Sequence, residues 1–529
     1  MKILRIFIPV SLLILLGCKN ETPNQPNIIF IMSDDHAAHA IGAYGGRLAG
    51  LDMTPNLDQL ADQGMRFDNA FCTNSICTPS RATILTGQYS QTNGVLDLDG
   101  RLATEKQYLP KELKKLGYST AVIGKWHLKN EPLNFDYYKV LPAQGKYFDP
   151  TFLEKGKGDW PNNQVESEGH SSDVTTDLVL DYLKRRDTEK PFFLMHHFKA
   201  PHHLFEHAPR YEDFLANTEI PEPASMYYQP NWGSEGTRGK ADSLIRYIGT
   251  SISDRHETRN YNKLFYEDTL VGRQNSAHQG YQIYMKKYLR CVKGIDDNLG
   301  RLFDYLKAEG LWENTIIIYT SDQGMMLGEH DFQDKRWMYE ESMRMPFIVH
   351  YPAAIQTGEA TDLLINNADF APTLIELAGG QTPDYMQGNS FVKTILGEKE
   401  DEWREATYYR YWMHMVHHWV PGHFGVRTKE HKLIFYYGKH YLQSGEFKNY
   451  YWGRKPEDSL RMATPTPPAW EFYDLKNDPQ ELNNRYDDPA YRAIISQLKA
   501  EMKKQRAVLN ETEDSYPEIQ KIIDDYWED

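Results

Sequence analysis

The chain has 529 residues, of which 40% are hydrophobic, 25% charged and 13% aromatic. This is the composition of a folded protein too long for one compact core and long enough for a large domain with a smaller one. Lys and Arg number 59 against 74 Asp and Glu, a net charge of −15, which argues against broad nucleic-acid binding but allows a local basic pocket for a small anion. Four cysteines (Cys18, Cys72, Cys77, Cys291) exclude a disulfide scaffold, and no paired CxxC motif points to a zinc ribbon.

Lys2 and Arg5 precede an apolar run from Ile6 to Leu16 that is too short to span a membrane and reads as a signal peptide. Leu15-Leu16-Gly17-Cys18 resembles a bacterial lipoprotein box. Residues 1–18 are therefore assigned as a lipoprotein-type signal segment, with a lipid anchor on Cys18, and residues 19–26 as a polar tether. The mature chain is expected to be exported, periplasmic or at the cell surface; a plain secretory signal is the alternative.

Apolar runs that end abruptly in polar residues then recur along the chain. They are Asn27–Met32 before Ser33-Asp34-Asp35-His36, Thr120–Ile123 before Gly124-Lys125-Trp126-His127, and Pro191–Met195 before His196 to His202. Thr315–Thr320 before Ser321-Asp322-Gln323-Gly324 and Met345–His350 follow the same pattern. Continuous rather than alternating apolar strands imply burial on both faces of a mainly parallel sheet. Helical patterns lie between them at Asn56–Gly64, Leu109–Leu116, Ser172–Arg186 and Tyr284–Ala308. The expectation is an α/β sandwich over residues 27–400, a large mixed but mainly parallel sheet covered by helices, with ligands at the carboxyl ends of its strands. The stretch from Glu206 to Tyr281 is expected to add rim loops. From residue 401 to 529 the texture changes to a smaller α+β subdomain, with antiparallel strands at Phe424–Arg427 and Lys432–Tyr437 and a helix over Ala490–Leu509.

Two strand ends and one helix start carry chemistry. Asp34 and Asp35 are adjacent carboxylates, costly to desolvate unless a cation compensates them; taken alone, such a pair is more often a solvated turn. Asp322 and the side-chain carbonyl of Gln323 end another strand. Together these make an all-oxygen donor set suited to Ca²⁺ or Mg²⁺. Between them in sequence lies Cys77-Thr78-Pro79-Ser80-Arg81, followed by Leu85-Thr86-Gly87. Thr78 or Ser80 is a candidate helix cap, and Pro79 suits a first turn. Cys77 would then sit where free backbone N–H groups favour an anion, unless it is merely a small buried hydrophobe or a reactive thiol.

C-T-P-S-R followed by L-T-G resembles the signature of the formylglycine-dependent sulfatases of the alkaline phosphatase superfamily, and the likeness runs from Asn27 to about Asn483. It implies that residues 27–400 form the catalytic domain and that a maturation enzyme oxidises Cys77 to formylglycine, whose hydrate is the nucleophile. It also implies one bound Ca²⁺ per chain, held by Asp34, Asp35, Asp322 and Gln323 beside the residue-77 side chain; many relatives carry Asn or His where this chain has Gln323. Arg81, Lys125 and Lys335 match the sulfate-binding cations, His127 the histidine beside the nucleophile, and His202, with His203 as the alternative, the histidine near the ester oxygen. The implied substrate is a sulfated carbohydrate of glycosaminoglycan or mucin type. The run Ser321–Phe347 most resembles the N-acetylglucosamine-6-sulfatase branch, with 2-sulfated iduronate and sulfated galactose left open. The aromatic and histidine-rich stretch Tyr408–His423 either lines the sugar site or packs the subdomain. Two other functions stay open: a phosphonate or phosphate monoesterase of the same superfamily, and a glycan-binding lipoprotein whose Cys77 is never matured.

Overall fold

The computed structural model describes residues 25–528 except 228, 262, 264–272, 356, 357 and 512. The signal segment, Cys18 and most of the tether lie outside the described residues. No described helix is long and apolar enough to cross a membrane.

Ten strands form the main sheet: β1 (Asn27–Ser33), β2 (Met65–Phe67), β3 (Ser119–Lys125), β4 (Tyr137–Leu141), β5 (Thr151–Glu154), β6 (Gln164–Glu166), β7 (Phe192–His197), β8 (Thr315–Ser321), β9 (Phe347–His350) and β10 (Glu359–Thr361). Their spatial order is β10-β2-β9-β8-β1-β7-β3-β4-β5-β6. β8, β1, β7, β3 and β4 run parallel. The flanks are mixed: β9 is antiparallel to β8 and to β2, and β5 and β6 continue antiparallel from β4. Direction at the flanks was not legible, because an apolar run such as Phe347–Val349 records burial on both faces and not polarity.

The run Ile28–Met32 shows how the layers are made. Ile28, Phe30 and Met32 join one core with Leu85, Leu109 and Leu374, while Ile29 and Ile31 join another with Leu57, Leu183 and Leu299. Alternate residues of one strand thus point to opposite helical layers. The first layer contains α2 (Cys77–Thr86), α3 (Tyr108–Lys115) and α6 (Phe370–Leu377), and the second contains α1 (Pro55–Asp62), α4 (Ser171–Arg185) and α5 (Arg273–Ala308). Each fully buried Ile or Phe contributes about 1.5–3 kcal/mol, and every residue from Ile28 to Ser33 is buried.

The C-terminal region adds a four-stranded antiparallel meander of β11 (Ala406–Tyr411), β12 (His423–Thr428), β13 (His431–Tyr436) and β14 (Ala469–Asp474). One face of it (Tyr408, Phe424, Leu433, Phe472) packs on α7 (Arg492–Val508) and α8 (Pro517–Tyr526). The other (Tyr409, Tyr411, Ile434, Tyr473) shares the main domain's core. The two sheets are therefore fused through apolar contact. The described part of the stretch after Glu206 is turns, short helices and a two-residue strand, Thr250–Ser251, that pairs with Phe332 and Gln333; it brings Thr250 and Arg259 to the main cavity.

Candidate active site

β1 sits between β8 and β7 and β3 lies beside β7, so the polar residues that follow these four strands meet at one carboxyl edge, the usual place for a ligand in a parallel sheet. Asp34 and Asp35 leave β1, Asp322 and Gln323 leave β8, Lys125 ends β3 with His127 two residues on, and His202 follows β7. Asp35 and His127 adopt left-handed backbone, with φ of 69° and 57°, a conformation that non-glycine residues keep only when the surroundings enforce it. The surroundings do so at Asp35: its N–H donates to Asp322 Oδ1 (3.1 Å), and Tyr288 of α5 donates to its carbonyl (2.9 Å) while accepting from Ala37 N–H (2.9 Å).

α2 supplies the remaining group. Ile76 is its N-cap and no side chain caps it, so Cys77 is the first helical residue. Neither Thr78 nor Ser80 is the cap, contrary to expectation; both lie within the first turn. The Ser80 hydroxyl instead donates to the Asp322 carbonyl and accepts from Asn367 Nδ2 (2.8 Å). The uncapped turn leaves its N–H groups directed at the carboxyl edge of the sheet, a suitable place for negative charge.

The charges interlock. Arg81 Nε donates to Asp322 Oδ2 (2.9 Å), its Nη1 to the Lys125 carbonyl (2.9 Å), and its Nη2 lies 3.6 Å from Asp34 Oδ1. Lys125 pairs with Asp34 and also donates to Gln144 Oε1 (2.5 Å). Lys335 donates to Asp35 Oδ1 (2.5 Å). The Cys77 sulfur is 3.9 Å from Asp35 Oδ1 and 3.8 Å from Gln323 Nε2, and His202 Nε2 is 3.9 Å from Asp35 Oδ2. Except for half-buried His202 and Gln144, all of these side chains are buried.

Burial and pairing set the protonation states. Burial pushes the Asp34 carboxyl up, but Lys125, His202, Arg81 and Lys335 outweigh it and hold the group well below the usual range. Burial dominates at Asp35, against Lys335, and raises it. At Asp322, burial and the neighbouring Asp34 push the carboxyl up to about 7. Burial and then Asp34 also raise the Cys77 thiol, so the unmodified sulfur is neutral and a weak nucleophile. Burial and then Lys125 hold His127 and His202 well below ordinary imidazole, and both are neutral in the free site.

Carboxylate oxygens of Asp34, Asp35 and Asp322 lie within 4.8 Å of one another. Gln323 turns its Nε2 toward the acids, donating to Asp322 Oδ1 (2.8 Å) and to Asp35, so the side-chain carbonyl expected as a ligand faces away until the amide turns over; its Oε1 and Asp34 Oδ1 are buried acceptors with no hydrogen-bond partner. Unsatisfied oxygens beside converging carboxylates fit a hard cation. Three acids balance the three cations Arg81, Lys125 and Lys335, so an added divalent ion leaves the pocket positive and ready for an anion.

Cys77, His127, His202 and Lys335 open into a cavity of about 740 Å³. Its walls include His203, the alternative to His202, and residues that the motifs did not single out: Gln144, Arg259, Asp334, Arg336, and Tyr451, Trp452 and Arg454. Asp334 and Arg336 flank Lys335 in sequence, a signal that was available. The stretch Tyr408–His423 divides between the two roles weighed for it. Tyr408, Tyr409, Tyr411 and Trp412 are buried packing residues, whereas His417 and His418 reach the cavity wall.

A family model described as Sulfatase matches residues 26–380, and one described as N-sulphoglucosamine sulphohydrolase, C-terminal, matches 328–450 and 461–508. The chain is 36% identical to an N-acetylglucosamine-6-O-sulfatase of Bacteroides thetaiotaomicron over 94% of this chain and 90% of that one. It is similar to a solved structure of a complex with the substrate D-glucosamine-2-N,6-O-disulfate, with a TM-score of 0.78 and 35% identity, covering 93% of this chain and 99% of that one. A phosphonate monoester hydrolase of Agrobacterium radiobacter shares the fold at a TM-score of 0.67 and 19% identity, covering 92% and 96% of the two chains.

Proposed function

The chain belongs to the sulfatase family of the alkaline phosphatase superfamily, and from that premise we propose that it hydrolyses the 6-O-sulfate ester of a glucosamine-type sugar in a sulfated glycan. The observation that carries the proposal is the buried set of Arg81, Lys125 and Lys335 around Cys77, with Cys77 and Lys335 facing a cavity large enough for a sugar. The position on the sugar rests on likeness to a relative named for 6-O-sulfate and to a solved complex with a 6-O-sulfated glucosamine.

Uncatalysed sulfate-ester hydrolysis is slow enough that an enzyme must remove on the order of 20 kcal/mol of barrier. A Ca²⁺ ion held by Asp34, Asp35, Asp322 and Gln323, beside a residue 77 matured to a hydrated aldehyde, would supply a polarised hydroxyl as nucleophile. The protein's own groups do the rest. Lys125, Lys335 and Arg81 are fixed before substrate arrives, so charge on the sulfate oxygens is met without reorganisation, the arrangement that is usually the largest single contribution. His127, neutral and with its Nδ1 buried and unpartnered, accepts the proton that residue 77 gives up. His202 stands on the opposite side, its Nδ1 against the His203 carbonyl (2.6 Å), which leaves Nε2 to face the substrate. It is neutral in the free site, and the charge of the bound anion raises its affinity for a proton. His202 then protonates the departing sugar oxygen.

In this reading a maturation enzyme acts on Cys77 before the chain is active, and export with a lipid anchor on Cys18 follows from Lys2, Arg5 and the run Ile6–Leu16. The test is a panel of glucosamine and N-acetylglucosamine derivatives sulfated singly at the 3-, 4- and 6-positions, beside a phosphonate monoester. Release from the 6-sulfate is expected. Release only from another position, or from the phosphonate alone, would overturn the assignment.

A further inference from the structure

The family model for the C-terminal region stops at residue 450 and resumes at 461. The ten residues between them lie outside that match, and they reach the wall of the catalytic cavity. Tyr451, Trp452 and Arg454 line it together with Cys77. Tyr451 is 55% exposed, so its ring is open to a ligand entering the cavity. Its ring stands at 87° to that of Trp452, with centroids 5.0 Å apart, and the two make an open aromatic corner. Trp452 is held from behind by His417 at 4.7 Å. Arg454 lies 5.3 Å from the Tyr451 ring centre.

The segment is built to stay in place. Tyr451 N–H donates to Asp99 (3.5 Å), Tyr450 donates to Asp97 (2.9 Å), and Ser459 donates to the Gly453 carbonyl. Gly453 itself presses on the preceding turn so closely that a Cβ there would meet the Phe447 carbonyl at 2.6 Å. Only a glycine lets the aromatic pair and Arg454 project from so tight a bend.

Small-molecule pockets begin at roughly 300 Å³, and this one holds about 740 Å³, more than one sulfated pyranose fills. The wall also carries Arg259, whose Nε donates to Thr250 Oγ1 (3.4 Å) and whose charge Asp458 supports, and Arg454, which is exposed. Aromatic faces take the C–H face of a pyranose, and guanidinium groups take carboxylates or sulfates.

We propose that Tyr451, Trp452 and Arg454 form a second sugar subsite, which binds an anionic residue adjoining the sulfated one and makes the enzyme select oligosaccharides over the free monosaccharide. This rests on the 6-O-sulfatase reading above, whose own failure shows separately. The experiment compares kcat/KM for 6-sulfated N-acetylglucosamine with that for a disaccharide in which 6-sulfated glucosamine is joined to a uronic acid. The wild type is expected to favour the disaccharide by tenfold or more. Tyr451→Ala and Trp452→Ala should each lower the disaccharide-to-monosaccharide ratio about tenfold. Arg454→Met, on an exposed side chain that cannot unfold the segment, should lower it about threefold. Calorimetric affinity for the desulfated disaccharide should fall in the same order. A ratio unchanged in all three variants, or a wild type with no preference, overturns the subsite. If no 6-sulfated substrate is turned over while the calorimetric contrast persists, the sulfate position was wrong and the subsite stands.

Discussion

Replacing Lys335 by Met removes one of the three cations that hold the anion, and it does so in a place where two separate consequences can be measured. The ammonium donates to Asp35 Oδ1 at 2.5 Å, with Lys335 2% and Asp35 0% exposed. Breaking a buried ion pair from one side leaves the other charge uncompensated and costs about 3–5 kcal/mol. Here the stranded carboxylate also faces Asp34 and Asp322 within 4.8 Å, so the upper end of that range applies without a bound cation. With a divalent ion in place Asp35 is compensated again, and most of the deficit should vanish. Loss of one preorganised donor to the developing charge separately costs about 2.7–4 kcal/mol, or 10²–10³ in rate. The assay is thermal unfolding in EDTA and in excess Ca²⁺, alongside sulfate release from a 6-sulfated sugar. The predicted pattern is a large unfolding deficit in EDTA, a small one in Ca²⁺, and kcat/KM down at least a hundredfold in both. An equal deficit in the two conditions would refute the shared role of Asp35 in pairing and in metal binding; kcat/KM within threefold of wild type would refute the sulfate contact.

Three further substitutions follow from the same geometry. Cys77→Ala should abolish turnover while its melting curve stays close to wild type; any turnover above background removes residue 77 from the chemistry. Gly124 has φ of +105°, and a Cβ there would meet the His197 carbonyl at 1.8 Å, so Gly124→Ala must displace β3 and with it Lys125. A cost of about 1–3 kcal/mol in unfolding and at least a tenfold loss of kcat/KM are expected, and wild-type kinetics would contradict the placement. Tyr288→Phe removes the two hydrogen bonds through which Tyr288 braces the Asp35 turn, leaving the one from Asp35 N–H to Asp322. It should cost about 1–3 kcal/mol of stability and weaken Ca²⁺ binding measured by calorimetry, whereas unchanged binding would mean the turn holds itself.

The centre of the molecule was legible because its residues carry two kinds of information at once. Ile28–Met32 and Ile316–Tyr319 are apolar without alternation, which marks burial on both faces, and each breaks into acids at the edge of the sheet, which marks the site. The sheet flanks carry neither signal. Met65-Arg66-Phe67 is too short for any periodicity, and Tyr137–Leu141 mixes Tyr and Lys on a strand whose second face is half covered. The helix cap was misplaced because Thr78 and Ser80 have capping side chains, yet the backbone turns at Ile76 and Ser80 is engaged by Asp322 and Asn367. No local rule anticipates a hydroxyl drawn away by residues more than 200 positions distant. His417 and His418 sat in a stretch singled out for its aromatics, but separating the two that reach the cavity from buried Tyr409 and Trp412 needs the meander's register. Tyr451 and Trp452 lay in no motif; the cavity wall they share marks them, with Tyr451 exposed and Trp452 half-buried.

The most direct test of the central claim is the mass of the peptide spanning residue 77, taken from a preparation whose sulfate release has been titrated to the number of working sites. The account predicts an aldehyde in place of the thiol, in a fraction equal to the fraction of active molecules. A fully active preparation in which that peptide carries an intact cysteine would contradict it.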